Sequence, residues 1–321
     1  MASAKAGFYG HVRQYHDLKD GIDAAIREVL ESGSYVMGPR VKRFEKELAE
    51  YCNTKEAVGV NSGTDALWLV FMALGIGPGD EVITTSNTFF ATAEAIWIAG
   101  ATAVFVDCES KTCNIDTSLI ESAITPKTKA IVPVHLHGQP ADMPAVVEIA
   151  KRHKLFVVED NAQALGARGT DFALGELSDA MCTSFIIQKN LGCFGDGGAV
   201  VTNRTDIAES VRTLRSHGSL KHSFHSMGFN SRLDELHAAV LSVKLKQLDS
   251  RNDGRRAFAK QYDEGVKGTS LKLPFAVAGY RHIYHLYVVE TEGRDNLQEY
   301  LKAQGITALT HYPIAIHQQE G

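Results

Sequence analysis

Apolar and polar positions follow two alternating patterns along the chain. Near the N-terminus an apolar residue recurs at every fourth position, which is the spacing of one helix face, and Gly33 follows as a stop. A second helix is predicted to begin near Pro39, because proline is favoured in the first helical turn. The apolar faces of these two helices are predicted to comprise Leu18, Ile22, Ile26 and Leu30, then Val41, Phe44 and Leu48.

Six short apolar runs lie further along the chain, and helical stretches separate most of them. Their strongly apolar, β-branched composition is typical of central strands that are covered on both faces. We therefore predict an α/β fold built around a mostly parallel central sheet flanked by helices. The runs are AVGV at 57–60, EVIT at 81–84, AVFVD at 103–107, AIVPVHLHG at 130–138, LFVVED at 155–160 and GGAVVTN at 197–203.

From about residue 232, the stretch RLDELHAAVLSVKLKQLDSR predicts one long helix. The composition becomes more charged after Arg251, and we place a domain boundary there. Residues 1–250 are then predicted to form a large domain, and residues 251–321 a smaller C-terminal domain. The apolar face of the long helix comprises Leu233, Leu236, Val240, Val243 and Leu248.

Composition argues against several classes of function. The 321-residue chain has a net charge of −5 and therefore lacks the basic footprint of a nucleic-acid-binding protein. The N-terminal residues contain no apolar core of signal-peptide length, and no apolar run approaches a membrane span. The five cysteines are odd in number and lack metal-ligand spacing, so we predict reduced thiols in a cytoplasmic protein.

Residues that follow the predicted strands are candidates for chemistry, because ligands of open α/β sheets bind at the carboxyl ends of strands. Ser62, Gly63 and Thr64 follow AVGV at the start of a predicted helix, where free N–H groups favour a phosphate. A helix cap without a ligand explains the same residues. Phe89 and Phe90 follow EVIT, and they either face a planar ligand or pack in the core.

The run LFVVED ends in two carboxylates, Glu159 and Asp160, which strand alternation sends to opposite sides of the sheet. A carboxylate at a buried strand end needs a cationic or donor partner. A protonated heterocyclic nitrogen, a helix cap or an internal salt bridge would serve. His135 and His137 lie two residues apart, and without a third ligand they suit structural or substrate-facing roles better than a metal site.

Lys189 lies between an apolar run and a glycine-rich loop in SFIIQKNLGCFGDGG. Desolvation lowers the pKa of a lysine and makes it nucleophilic toward aldehydes. A phosphate-binding turn, an aromatic plate, an acid for a ring nitrogen and a lysine for an aldehyde together indicate pyridoxal phosphate. Each signal is weak alone, but this one ligand explains all four.

Seven motifs carry a resemblance to a known family: NSGTDAL, TFFATAEAI, VHLHGQPADM, VEDNAQALGA, SFIIQKNLGCFGDGGAVVTN, GFNSRLDELHAAVL and HLYVV. Over nearly its whole length the chain resembles the DegT/DnrJ/StrS-type sugar aminotransferases. The resemblance implies the fold type I of pyridoxal-phosphate-dependent transferases, with a smaller C-terminal α/β domain. It also implies amino transfer from glutamate to a nucleotide-linked keto sugar, in a homodimer with shared active sites.

The resemblance assigns roles to single residues through these motifs. Lys189 matches the lysine that binds the cofactor aldehyde, and Asp160 matches the acid paired with the pyridine nitrogen. The further cofactor contacts that it implies are Gly63, Thr64 and Ser184 at the phosphate, Phe89 on the ring, Gln163 near the phenolic oxygen, and Asn230, which reaches the phosphate of the neighbouring subunit.

The C-terminal part departs from the family pattern. The chain ends at HQQEG, whereas relatives continue with further helices, so the resemblance predicts a small domain that is truncated here. His311, Tyr312 and His317 match a region near the substrate sugar. The loop 215–230, which includes Lys221, is a candidate for contact with a diphosphate or is simply solvated.

Three other functions compete with amino transfer. A pyridoxamine-dependent sugar dehydrase shares the fold, but the resemblance implies that it would carry a histidine in place of Lys189. A non-catalytic homologue with a regulatory or structural role is less consistent with the presence of Lys189, Asp160 and Gln163 together. A nicotinamide-dependent oxidoreductase lacks support, because no GxGxxG motif follows an early strand.

Overall fold

A computed structural model describes residues 6–219 and 225–320. The strands are β1 (Glu56–Val60), β2 (Glu81–Thr85), β3 (Thr102–Val106), β4 (Thr128–Val132), β5 (Phe156–Asp160), β6 (Ala180–Ser184) and β7 (Gly198–Thr202). The helices are α1 (His11–Ser32), α2 (Pro39–Tyr51), α3 (Gly63–Ala73), α4 (Ala91–Ile98), α5 (Ile120–Ala123), α6 (Met143–His153), α7 (Thr205–Leu214), α8 (Glu235–Leu245), α9 (Leu248–Gly265) and α10 (Arg294–Ala303). Short 3-10 helices span Thr117–Leu119, Leu136–Gly138 and Ile316–Gln318.

The strands form one sheet in the order β1-β7-β6-β5-β4-β2-β3. The neighbouring pairs from β6 to β3 are parallel, whereas β7 runs antiparallel to both of its neighbours. The predicted mostly parallel sheet is therefore confirmed, and each of the six apolar runs overlaps a strand. The prediction omits β6, because its sequence AMCTS contains only one β-branched residue.

Apolar side chains are buried on both faces of the sheet. Val157 belongs to one hydrophobic cluster and Val158 to the other, since successive strand residues point to opposite faces. Met181 and Cys182 of β6 divide between the same two clusters. The carboxyl ends of β5 and β6 are thereby fixed from both sides.

The first two predicted helices are confirmed. Gly33 closes α1 with a φ of 67°, a left-handed conformation that glycine adopts without strain. α2 begins at Pro39 and buries its three predicted apolar residues. Leu30 of α1 is exposed, although the pattern placed it on the apolar face.

The prediction of one long helix before the domain boundary is wrong, because two helices occupy this stretch. α8 ends at Leu245, and α9 begins at Leu248. Between them the Gln247 N–H donates to the Lys244 carbonyl at 3.0 Å, a bond to the third preceding residue that tightens the turn. α9 then continues past the predicted boundary at residue 250.

Beyond α9, the described residues up to Glu320 form α10, the 3-10 helix Ile316–Gln318 and isolated backbone bridges, such as the one between Lys272 and Glu290, rather than strands. The boundary at residue 250 and the smaller C-terminal domain remain predictions. Over the two described ranges, no helix is both long and apolar enough to cross a membrane.

Candidate active site

Segments at the carboxyl ends of the parallel strands meet around Lys189. β5 ends at Asp160, and β6 ends at Ser184, shortly before the loop that carries Lys189. The loop after β4 contributes His137. The charges of Lys189 and Asp160 interact, so an amine and a carboxylate share one site at this edge of the sheet.

A closed backbone frame holds the loop between β6 and β7. The Phe185 N–H donates to the Gly197 carbonyl at 2.7 Å, and the Cys193 N–H donates to the Phe185 carbonyl at 2.8 Å. The Lys189 N–H donates to the Ile186 carbonyl at 2.9 Å, which sets a turn at the lysine itself. Lys189 therefore extends from a fixed turn.

The surroundings of the Lys189 side chain favour its neutral form. Burial lowers its pKa, and the negative charge of Asp160 opposes that shift. Within the described part of the chain, no group hydrogen-bonds the Lys189 amine. A lowered pKa increases the fraction of neutral amine near pH 7, and only the neutral amine attacks an aldehyde.

Two hydrogen bonds hold Asp160 at the end of β5. Its Oδ2 accepts the Thr92 hydroxyl at 2.8 Å, and its Oδ1 accepts the Ala162 N–H at 3.1 Å. The hydroxyls of Thr88 and Thr92 lie 3.1 Å apart. Because Thr92 gives its one proton to Asp160, Thr88 must donate to Thr92. The carboxylate is thus oriented from α4.

Glu159 points to the other side of the sheet, as strand alternation predicts. Its Oε1 accepts the Gly175 N–H at 3.0 Å, and its Oε2 lies 2.8 Å from His135 Nε2. His135 Nδ1 accepts the Ala141 N–H at 3.0 Å, so Nε2 carries the ring proton and donates it to Glu159. This closed pair is structural, which agrees with the structural alternative for His135.

Gln163 joins the site to the C-terminal segment. Its Oε1 accepts the His137 N–H at 2.8 Å, and its Nε2 donates to the Tyr312 hydroxyl at 2.9 Å. The Tyr312 ring lies 5.9 Å from the Phe89 ring with a tilt of 41°. The structure therefore brings Gln163, Phe89 and Tyr312 together beside Asp160.

The turn before α3 presents free backbone N–H groups. Ser62 caps the helix, since its Oγ accepts the Asp65 N–H at 3.0 Å. The N–H groups of Gly63 and Thr64 have no partner among the residues that the structure describes. A Cβ on Gly63 would lie 2.7 Å from the Ser184 Cβ, so only glycine allows this approach to β6. The cap and the anion site are compatible, because the cap leaves these two donors free.

Asn230 lies apart from this arrangement. It is exposed, and its backbone forms an isolated bridge with Ser216. Its neighbour Ser231 is the residue that reaches α3, where its hydroxyl donates to Asp65 Oδ2 at 2.5 Å. The predicted contact of Asn230 with a neighbouring subunit remains a prediction. Lys221 lies outside the described residues.

The other two C-terminal candidates differ in position. The His311 ring stacks on Phe8 at 5.7 Å, and burial lowers its pKa, with the charge of Lys189 acting in the same direction. His311 therefore borders the site. His317 is exposed in a short 3-10 helix that Ile316 anchors, with the Ile316 N–H donating to the Ser86 carbonyl at 3.2 Å.

Further polar residues, not predicted from the sequence, support this site. Asn190 Nδ2 donates to Asn252 Oδ1 at 2.7 Å, and Asn190 Oδ1 accepts a hydrogen bond from His285 Nδ1 at 2.9 Å. Burial holds the pKa of His285 well below its usual value, so its ring is neutral. The position of Asn190 directly after Lys189 was a usable signal, as was Thr92 in TFFATAEAI. The sequence around Asn252 offers no such signal.

These residues fit pyridoxal phosphate. Free N–H groups, a carboxylate and a half-buried amine suit its phosphate, ring nitrogen and aldehyde. His137 Nε2 and both side-chain polar atoms of Asn161 are buried without a hydrogen-bond partner among the described residues, which leaves polar capacity for a ligand. Searching those residues finds no group of three or more His, Cys, Asp or Glu that could hold a metal ion.

Known proteins resemble this chain in sequence and structure. A profile of the DegT/DnrJ/EryC1/StrS aminotransferase family matches residues 16–321. The dTDP-3-amino-3,4,6-trideoxy-alpha-D-glucose transaminase of Streptomyces venezuelae is 50% identical over 305 residues, which cover 94% of this chain and 80% of that protein.

Two solved structures extend the comparison. DesV of S. venezuelae, in complex with a ketimine intermediate, has a TM-score of 0.97 and 48% identity, covering 98% of this chain and 86% of that chain. NtdA of Bacillus subtilis, with bound cofactor PMP, has a TM-score of 0.93 and 34% identity, covering 100% of this chain and 75% of that chain. The similarity therefore includes the strands and loops that form the site.

Proposed function

The chain belongs to the DegT/DnrJ/EryC1/StrS aminotransferase family, and we propose that it transfers an amino group from glutamate to the keto group of a nucleotide-linked sugar. The predicted family, fold type I and pyridoxal phosphate as cofactor are confirmed by the family match and the solved relatives. Keto sugar and glutamate become amino sugar and 2-oxoglutarate. Oxidation of the donor carbon therefore balances reduction of the acceptor carbon.

The observation that carries this proposal is the pairing of Lys189 with Asp160. A partly desolvated amine of lowered pKa and a hydrogen-bonded carboxylate lie in one site, at the carboxyl ends of parallel strands. An amine and a carboxylate that served only each other would form an ion pair. No such ion pair joins them within the described ranges, so both groups remain available to a ligand.

Lys189 has two tasks in this proposal. Its neutral amine would hold the cofactor through the aldehyde and would be released when the amino donor binds there. The same amine would then take a proton from the α-carbon of the donor and return it to C4′ of the cofactor. When bound, pyridoxal phosphate supplies the aldehyde and a ring that takes up the electron pair from the donor α-carbon.

Asp160 and the turn before α3 hold the two ends of the cofactor. The Asp160 carboxylate, fixed by Thr92 and Ala162, would keep a proton on the ring nitrogen. The free N–H groups of Gly63 and Thr64 would donate hydrogen bonds to the phosphate, and the α3 dipole would favour its negative charge. Ser184 lies against this turn, and in this proposal its hydroxyl would add a donor.

The acceptor sugar would bind on the C-terminal side of the site. The S. venezuelae relative is named for a dTDP-linked amino sugar, which supports an acceptor of this class. Tyr312 and His311 border the site on that side, and we keep the exposed His317 as a candidate at the rim. We further propose a cytoplasmic homodimer in which the exposed Asn230 reaches the phosphate held by the neighbouring subunit.

The test is a visible absorption spectrum of the purified chain with pyridoxal phosphate, recorded before and after addition of glutamate. The wild type should show a visible band that glutamate bleaches, with formation of pyridoxamine phosphate. Lys189→Ala should show neither the band nor a peptide that borohydride labels with cofactor at this position. Addition of dTDP- or UDP-linked keto sugars to the bleached enzyme should restore the band and yield an amino sugar.

Other outcomes would favour the competing functions. A deoxygenated sugar without net amine transfer would indicate a dehydrase. A band that depends on Lys189 but is bleached by none of the common amino acids would indicate a non-catalytic homologue. Absence of any Lys189-dependent band would contradict the proposal at its first step.

A further inference from the structure

A lysine more deeply buried than Lys189 lies beneath the loop that carries Lys189. Lys244 of α8 is only 2% exposed, and its Nζ donates to the Gly192 carbonyl at 2.5 Å. The same Nζ lies 4.3 Å from the centroid of the Phe194 ring, within cation–π range. Lys244 therefore contacts the backbone and a side chain of the loop that begins at Lys189.

The loop backbone is tightly packed, so a displacement at Gly192 would also move the turn at Lys189. A Cβ on Gly192 would lie 2.7 Å from the carbonyl oxygens of both Ile186 and Ile187. The Lys189 N–H is itself bonded to the Ile186 carbonyl. A displacement of Gly192 would thus push directly on the turn from which Lys189 extends.

Cys193 links the two ends of the loop that carries Lys189. Its Sγ lies 3.1 Å from the Phe185 carbonyl and 3.2 Å from the Asp196 carbonyl, at the two ends of the loop. Burial raises the pKa of this thiol to about 11, so it is neutral and acts as a donor. Lys244 holds Gly192, and the two carbonyls hold Cys193. The loop therefore has little conformational freedom near Lys244.

Stability alone does not explain a lysine at position 244, because its burial costs free energy. Burial lowers its pKa to about 8, and no carboxylate forms a salt bridge with it among the described residues. An apolar side chain of similar length would fill the same space without a desolvation penalty. Because Lys244 is buried without a carboxylate partner, we infer that it serves to hold the loop above it.

We propose that Lys244 is a positioning residue for Lys189: its ammonium holds Gly192 and Phe194, and thereby fixes the turn that presents the Lys189 amine. The inference rests on the proposed function in that Lys189 is taken as the residue that binds the cofactor. Lys244 does not itself touch the reacting atoms in this proposal.

The test replaces Lys244 with methionine, which keeps the length and removes the charge. Lys246→Met is the matched control, because this lysine lies two residues further on and is exposed. Amide hydrogen exchange is measured on the full chain with and without pyridoxal phosphate. Loss of one charge-assisted hydrogen bond should speed exchange roughly tenfold or more at residues 190–197, with the central strands unchanged.

Kinetics and spectra separate positioning from general stability. Lys244→Met should lower kcat by roughly tenfold and leave KM for glutamate within about twofold, because the amine is misplaced while the donor site is intact. Less cofactor should be trapped on Lys189 by borohydride at equal total binding. Lys246→Met should match the wild type in every measurement.

A milder variant covers the case in which Lys244→Met does not fold. Phe194→Leu removes only the ring above the ammonium at a position that is 40% exposed, and it should raise exchange at the same residues by a smaller factor. Wild-type exchange in the loop of the folded variant, or a uniform rise across the whole chain, would overturn the inference. Failure of glutamate to bleach the wild type would instead count against amino transfer, and the exchange comparison would still decide the role of Lys244.

Discussion

The two sides of the sheet at the end of β5 hold neighbouring carboxylates in different surroundings. Glu159 is completely buried, and its two oxygens are occupied by an imidazole N–H and a backbone N–H. Asp160 also accepts two hydrogen bonds, but it keeps 6% exposure and lies near an amine that does not bond to it. The chemical group is the same, and only the access left to it differs.

This difference separates a carboxylate with closed structural contacts from one that we propose to be functional. The partners of Glu159 are themselves fixed, since His135 is locked by the Ala141 N–H. Nothing further can reach Glu159, so its contribution is to stability. A carboxylate has acceptor sites for about four hydrogen bonds, and the exposed part of Asp160 can still receive a donor from a ligand. The comparison therefore predicts that substitutions of these neighbours separate stability from activity.

The largest expected effect is on stability, from Glu159→Gln. The two oxygens of Glu159 both accept, whereas glutamine would turn an NH2 group toward either the His135 ring N–H or the Gly175 N–H. His135 cannot change tautomer to compensate, because Nδ1 must accept from Ala141. We expect a loss of about 3 kcal/mol in the free energy of unfolding, measured by urea denaturation at pH 7.

Glu176→Gln is the control for this change. Glu176 is exposed and accepts one backbone N–H, from Ala173 at 3.0 Å, so its amide can keep that bond. Its free energy of unfolding should stay within about 0.5 kcal/mol of the wild type. A Glu159→Gln protein as stable as this control would show that the closed pair has no structural role.

Asp160→Asn should have the opposite effect, with a large loss of activity and little loss of stability. The asparagine oxygen can accept from Ala162, and its NH2 can donate to Thr92, whose proton then turns to Thr88. The free energy of unfolding should therefore change by less than about 1 kcal/mol. A neutral amide cannot hold a proton on the ring nitrogen, so kcat should fall by about a hundredfold or more. A variant with nearly full activity, or one as unstable as Glu159→Gln, would remove the distinction between the two sides.

Much of this site could be predicted because each strand end carries a chemically distinctive group. Asp160 follows an apolar run, Lys189 precedes a glycine-rich loop, and Gly63 opens a helix. The parallel sheet brings such groups to one edge whatever the length of chain between them. Order along the sequence was therefore sufficient for the cofactor, whereas the roles that the family motifs assign to single residues remain predictions.

The supporting residues could not be predicted in this way. Helical periodicity gives α8 one apolar face, yet the helix packs against α1 and α2 as well as the Lys189 loop. Glu235 is consequently buried and accepts the N–H groups of Arg40 and Val41, both at 2.8 Å, at the start of α2. Lys244 is buried for the same reason. Such polar positions look like solvent-exposed ones until the neighbouring elements are known.

The smallest expected effect concerns Thr92, whose hydroxyl supports Asp160. Thr92→Val keeps the shape of a fully buried side chain and removes the donor to Asp160 Oδ2. Thr84→Val is the matched control, because the Thr84 hydroxyl is equally buried but donates to the Val132 carbonyl at 2.9 Å. Thr92→Val loses two buried hydrogen bonds, from Thr88 and to Asp160, and should lose about 2 kcal/mol in the free energy of unfolding. Thr84→Val loses one and should lose about 1 kcal/mol. Only Thr92→Val should also lower kcat, by roughly three- to tenfold, because the Asp160 carboxylate is then held by a single bond. Equal kcat values in the two variants would mean that the Ala162 N–H alone orients Asp160, and that the hydroxyl chain from α4 serves stability on this side as the His135 pair does on the other.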